Sequence, residues 1–121
     1  MPKSKKSKSK KIHWYQELNE SDVDSAFEEA TVDAYDPSEQ LQGLFNALED
    51  ELVFPFLVSA LGEELTATNI EMADNDNCGL DLVVQRGAKS FCIEVRSVQL
   101  LEPLPDGHLV LAAYLHWKKS L

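Results

Sequence analysis

The most prominent chemical feature of the sequence is a run of carboxylates without positive partners. Residues 17–51 contain twelve Asp and Glu and no Lys or Arg. Two carboxylates about 5 Å apart repel by about 3 kcal/mol at an effective dielectric of about 20. A divalent cation relieves this repulsion, and Ca²⁺ accepts about six to eight oxygen ligands in flexible geometry. The segment therefore predicts cation binding.

The spacing of the acids predicts two loci. Asp33 closes a predicted helix, Asp36 precedes Pro37 as the N-cap of the next, and Glu39 follows three residues later as in a capping box. These three acids are expected to converge on one turn. Glu49 lies ten residues beyond Glu39, or ~15 Å along a helix. Glu49 and its neighbour Asp50 therefore belong to a second locus.

In an antiparallel hairpin, Glu49 and Asp50 are expected to lie near Asp22 and Asp24. Each acid also has an ordinary structural explanation. A run of charges is usually a solvated face, however, and the acids beside Pro37 can simply cap a helix. For the cluster as a whole, the absence of basic residues favours binding.

A second pattern, Asp74 to Gly79, matches positions one, three and six of an EF-hand loop. The match then fails, because Cys78 replaces an oxygen ligand and Gln85 stands where the bidentate Glu belongs. A polar hairpin is the favoured interpretation, with Asp74 and Asp76 as auxiliary calcium contacts.

Other chemistry finds little support. Cys78 and Cys92 form no CxxC pair, and the histidines are scattered at His13, His108 and His116. A disulfide framework and a zinc site are therefore disfavoured. No nucleophile set, phosphate loop or HExxH motif is present, so we expect no enzyme activity.

The charge is distributed unevenly along the chain. The net charge is −10, yet residues 1–11 hold six lysines and no acid. Residues 1–13 are predicted to be a disordered arm that binds nucleic acid or anionic lipid, docks on the acidic domain, or only solubilises it. The acidic remainder disfavours a nucleic-acid surface there. No apolar run predicts a membrane span or signal peptide, so we expect a cytoplasmic protein.

Periodicity indicates an α+β fold in a single domain, residues 14–121. Apolar residues recur at helical spacing over 22–34 and from Pro37 toward Pro55, which predicts an antiparallel helical hairpin. Residues 106–119 favour a closing helix capped by Asp106, although a strand is also possible. The hairpin should pack on a small antiparallel sheet of four or five strands. Its strands are expected within 57–61, 65–72, 80–85 and 90–100.

A family resemblance rests on VDAYD at 32–36 and FPF at 54–56, together with Glu39, Gly43 and Glu49. These residues resemble the small acidic calcium-binding proteins, without an EF-hand, of cyanobacteria and other bacteria. The resemblance implies a calcium buffer or a sensor in calcium signalling, with Asp33, Glu39 and Glu49 as ligands. It also implies an SH3-like β-barrel after the helical hairpin.

The sequence thus predicts reversible Ca²⁺ binding by a monomer, with a protein partner if it is a sensor. The alternative is an acidic module that mimics a polyanion and docks on a basic protein. Calcium binding needs oxygens that converge on points, whereas a mimic needs acids spread over a surface.

Overall fold

The computed structural model describes residues 14–73 and 79–120. The predicted arm, residues 1–13, lies outside them. Among the described residues, no helix combines the length and apolar character needed to cross a bilayer. In chain order the elements are a 3₁₀ turn at Trp14–Glu17, α1 Glu20–Ala30, α2 Pro37–Glu51, β1 Phe56–Ala60, β2 Glu63–Met72, β3 Leu80–Arg86, β4 Lys89–Glu94, a second 3₁₀ turn at Val95–Ser97, β5 Gln99–Leu100 and α3 His108–Lys119.

The first helix is shorter than predicted at its C-terminal end. Asn19 is its N-cap, because Asn19 Oδ1 accepts hydrogen bonds from the backbone of the two following positions, 21 and 22. At the other end, the amide and the hydroxyl of Thr31 both donate to Phe27 O, at 3.0 and 2.7 Å. These bonds end α1 at Ala30, so Asp33 lies in the connection between helices rather than on a helix.

The second helix begins as predicted. Asp36 is its N-cap in extended conformation and Pro37 is its first residue. The apolar stripe of α2 is buried, and Leu44 and Leu48 are fully inaccessible to solvent. Since α2 ends at Glu51, Pro55 lies outside it.

Five antiparallel strands form one sheet in the order β4-β3-β2-β1-β5. The α+β prediction is confirmed. The order leaves β4 and β5 at opposite edges, so the sheet is open and the SH3-like barrel is not confirmed. The predicted strand at 90–100 is interrupted, because Val95–Ser97 form a 3₁₀ turn between β4 and β5.

The closing segment is a helix, so the strand alternative at 106–119 is wrong. Its N-cap is Gly107, with φ of 90°, and not the predicted Asp106. Asp106 instead accepts a hydrogen bond on its backbone oxygen from Val53 N, at 3.1 Å. Both α1 and α2 pack against α3, whose residues 110–115 are all buried. The helix α3 is therefore central to the core.

Tyr114 connects α3 to the sheet. Its ring is fully buried, and its hydroxyl oxygen accepts a hydrogen bond of 2.9 Å from Leu80 N on β3. Burial, which disfavours the phenolate, raises the pKa of Tyr114 to about 12, and the bond from Leu80 offsets this only in part. The helix is also held to α2, where Trp117 Nε1 donates to Gln40 Oε1 at 2.8 Å.

We expect Tyr114→Phe to lower the free energy of unfolding at neutral pH by about 1 to 3 kcal/mol, because Leu80 N loses its acceptor. The variant should also change the alkaline limb of the stability profile. The unfolded chain ionises this phenol near pH 10 and the folded protein near 12. The protonated phenol of Tyr114 therefore contributes fully to the free energy of unfolding below about pH 10. This contribution is lost as the pH rises toward 12, by up to about 1.4 kcal/mol per pH unit.

Urea unfolding at several pH values measures both effects. Tyr35→Phe is the matched control, because Tyr35 is 86% exposed. If Tyr35→Phe and Tyr114→Phe gave the same profile between pH 10 and 12, the assignment of the alkaline effect to Tyr114 would be wrong.

Candidate calcium site

The connection between α1 and α2 carries two carboxylate hydrogen bonds at the start of α2. Asp36 Oδ1 accepts from Glu39 N at 2.8 Å, and Glu39 Oε1 accepts from Tyr35 N at 2.7 Å. These bonds fix both side chains, and they differ from a standard capping box in that Glu39 accepts from the residue before the N-cap. Each carboxylate has two oxygens and about four lone-pair sites in all, so capping leaves capacity for a cation.

A pocket opens beside this connection, which we name the turn pocket. It has a volume of about 330 Å³, and its polar lining comes from Asp33 and Glu39, from the side-chain amides of Gln42 and Asn46, and from the end of α1. Gln42 Nε2 donates to Asn46 Oδ1 at 2.9 Å, an orientation that leaves Gln42 Oε1 as an acceptor. The structure thus brings Asp33 and Glu39 to one pocket, whereas Asp36 acts beside it as the helix cap.

The two amides of the turn pocket were not predicted. Gln42 and Asn46 follow Glu39 by three and seven residues, and such positions share one face of a helix. This spacing could have identified them. Within the described ranges, no three His, Cys, Asp or Glu side chains are arranged to hold a metal ion together. A cation in the turn pocket would therefore need amide, backbone or water oxygens in addition to its two carboxylates.

The second predicted locus is differently composed. Glu49 and Asp50 are exposed on the last turn of α2. It is Glu51 that lines a pocket of about 350 Å³ together with Asp22, whereas Asp24 is not part of its lining. Glu29 and Asp106 complete the acidic lining of this pocket, which we name the far pocket. It lies where the N-terminus of α3 approaches the end of α2. The sequence did not indicate Glu29 and Asp106 as parts of one acidic pocket, because their proximity depends on the loop before α3.

A third acidic group lies on the sheet. Antiparallel register places Glu71 of β2 opposite Asp81 of β3, and Asp81 opposite Glu94 of β4, which we name the cross-strand row. Burial, followed by the charges of Glu94 and Glu71, raises the pKa of Asp81. Arg96 pairs with Glu94 at 3.1 Å and neutralises one end of the row.

Cys92 lies next to the cross-strand row. Its Sγ is 3.8 Å from Glu71 Oε1, and burial together with the charges of Glu71 and Asp81 raises the pKa of its thiol. A raised pKa lowers the fraction of thiolate, the reactive form of cysteine. Cys92 is exposed, but its raised pKa keeps the thiolate fraction low at neutral pH.

The EF-hand-like segment joins two strands. Ala73 N donates to Gly79 O at 2.9 Å, and β2 and β3 pair antiparallel on either side. Strands thus flank the segment where an EF-hand would have helices, in agreement with the predicted hairpin. Asp74 and Asp76 lie outside the described residues, so their calcium contact stays a prediction.

The fold is similar to that of known calcium-binding proteins. The crystal structure of Anabaena CcbP matches with a TM-score of 0.63 and 21% sequence identity, over 84% of this chain and 91% of that one. A calcium binding protein in the calcium-binding form matches with a TM-score of 0.59 and 21% identity, over 90% of this chain and 97% of that one. None of the curated proteins compared by sequence matches the chain.

The sequence pattern of a protein family described as calcium binding, named for CcbP, matches residues 24–118. The match begins within α1 and ends within α3, so it includes most of α1, all of α2, the turn pocket and the whole sheet. Since it spans well over half of the chain, this protein belongs to the CcbP family of calcium-binding proteins.

Proposed function

We propose that the chain binds Ca²⁺ reversibly at the turn pocket, with carboxylate oxygens from Asp33 and Glu39. The observation that carries the proposal is the meeting of these two acids in one pocket. Carboxylates, amide oxygens and backbone carbonyls are the ligands that Ca²⁺ takes, and the pocket offers all three. Water would complete the coordination. The role is binding rather than catalysis, in agreement with the family.

The electrostatics of the turn pocket support the proposal. Arg86 pairs with Glu63 and Arg96 with Glu94, so the two arginines neutralise acids of the sheet and its edge. The sequence between Lys11 and Arg86 contains no Lys or Arg that could neutralise the pocket. Because like charges that are held together repel, a divalent cation is stabilised there more than on a balanced surface.

Two exposed apolar side chains favour a sensor over a simple cytoplasmic buffer. Val32 is 74% exposed and Tyr35 is 86% exposed, and both lie in the connection that carries the acids. Apolar and aromatic side chains beside a cation site can contact a partner whose affinity depends on the ion. A buffer needs no such surface.

The distribution of the other acids favours one alternative function, that of an acidic module that mimics a polyanion. The far pocket and the cross-strand row place carboxylates at two further places, as a polyanion mimic would. In that role the charges act together, and no single carboxylate is decisive. Substitution of single acids separates the two functions.

Calorimetric titration of Ca²⁺ into Asp33→Asn and Glu39→Gln variants tests the calcium site. We expect each substitution to weaken the same binding step by about tenfold, because each removes one charged ligand at nearly constant shape. Glu49→Gln should leave this step unchanged, since Glu49 lies ~15 Å along α2 from Glu39. Glu102→Gln, an exposed acid outside the pocket, is the control of equal charge.

Two results would count against the site. Equal weakening by all four variants would indicate a diffuse polyanion and support the docking module. Loss of Ca²⁺ binding in millimolar Mg²⁺ would have the same meaning, because a flexible oxygen site should prefer Ca²⁺ to the smaller ion, which demands near-octahedral geometry.

A further inference from the structure

A narrow apolar groove runs between α1 and α3. Its volume is about 220 Å³, below the range of about 300 to 1,000 Å³ that is usual for small-molecule pockets. The size suits one aliphatic side chain rather than a ligand or a partner helix. The apolar lining comes from Val23, Phe27, Ala113 and Trp117, and the polar lining from Asp24, His116 and Ser120.

The described chain begins beside this groove. Tyr15 is buried, and its ring lies edge-on to the His116 ring at 5.1 Å. Ile12 precedes Tyr15 by three residues, a distance of at most about 10 Å along an extended chain. Between Met1 and Trp14, Ile12 is the sole apolar residue of the sequence. The segment before Trp14 thus carries one side chain of the right type within reach of the groove.

The charges on the two sides are complementary. Lys10 and Lys11 directly precede Ile12. Glu20 and Asp24 line a small hollow with His116, next to the groove. Opposite charges would therefore meet if Ile12 entered the groove. A segment joined to the domain by so few residues has a high effective concentration, of millimolar order, so a weak contact is enough.

We propose that the arm docks on its own domain, with Ile12 in the α1–α3 groove and Lys10 and Lys11 against Glu20 and Asp24. Docking covers the apolar groove and places positive charge on the acidic face of α1. This contact requires no calcium, so it is independent of the proposed function.

Nuclear Overhauser spectroscopy of the full chain, labelled at isoleucine methyls, tests the docking. We expect contacts from the Ile12 methyls to the rings of Phe27 and Trp117, and an upfield shift of these methyls. Ile12→Ser should abolish the contacts and shift the Ala113 and Trp117 signals, whereas Ile12→Leu should keep Ala113 and Trp117 near their original shifts.

Charge variants separate specific docking from general attraction. Lys10→Gln with Lys11→Gln should lower the docked fraction several-fold at low salt. Lys3→Gln with Lys5→Gln removes the same charge farther from Ile12 and should change the docked fraction little. Equal effects of the two pairs would overturn the proposed contacts. Absence of the Ile12 contacts, or contacts that grow with protein concentration and so arise between copies, would overturn intramolecular docking.

Discussion

The Gly107→Ala substitution is expected to lower the free energy of unfolding by about 2 to 5 kcal/mol, because backbone strain and overpacking act together. Gly107 has φ of 90°, a conformation that residues with a Cβ rarely adopt. A Cβ there would also lie 2.5 Å from Glu51 O and 2.6 Å from Leu52 Cα. Those atoms are backbone at the end of α2, so they cannot rotate away. Urea unfolding measures the loss.

Gly87→Ala is the matched control for this prediction. Gly87 also has positive φ, of 61°, but an added Cβ meets no atom of the described residues within 4 Å. We expect it to cost about 1 to 2 kcal/mol, which is the strain alone. Equal losses for the two variants would show that the contact of Gly107 with α2 contributes nothing.

Gly43→Ala is expected to destabilise the protein by about 1 to 3 kcal/mol, although the same change in an ordinary helix adds about 0.5 to 1 kcal/mol of stability. A Cβ at Gly43 would collide with the backbone oxygen of Ala30. The end of α1 would then have to move away from α2. Ala30 and Gly43 both line the turn pocket, so we expect Ca²⁺ affinity to fall several-fold as well.

Thermal unfolding and calcium titration of the same variant measure these two effects. Ser25→Ala in the middle of α1 is the control, because Ser25 is exposed and lies away from the turn pocket. It should raise stability by a few tenths of a kcal/mol, as helix propensity predicts. A similar gain for Gly43→Ala would contradict a close approach of the two helices.

Local sequence signals predicted the helices and strands well where the deciding interactions join residues only a few positions apart. Asp36, Pro37 and Glu39 located the start of α2, because a capping box is complete within four positions. The hydrophobic positions of α2 and of the strands likewise follow periodicity. The predicted end of α1 was wrong, because the helix stops at Thr31 although the apolar pattern continues. The amide and the hydroxyl of Thr31 both donate to Phe27 O.

The parts that sequence did not predict depend on distant residues. The cross-strand row needs the register of three strands, which places Glu71, Asp81 and Glu94 side by side. The far pocket needs the loop before α3 to approach the end of α2, which occurs because Gly107 permits it. Asp33 and Glu39 could be placed together from sequence, since one short connection separates them. Their role as ligands stays a prediction.

The central position of α3 has a consequence for biosynthesis. Its side chains complete contacts with segments made much earlier, as when Tyr114 accepts from Leu80 and Trp117 donates to Gln40. The core cannot close until the chain has been synthesised through Trp117 and has left the ribosome tunnel. Nascent chains that stop before His108 expose the apolar faces of both the sheet and the first helices. Such intermediates are prone to aggregation, and chaperones recognise them.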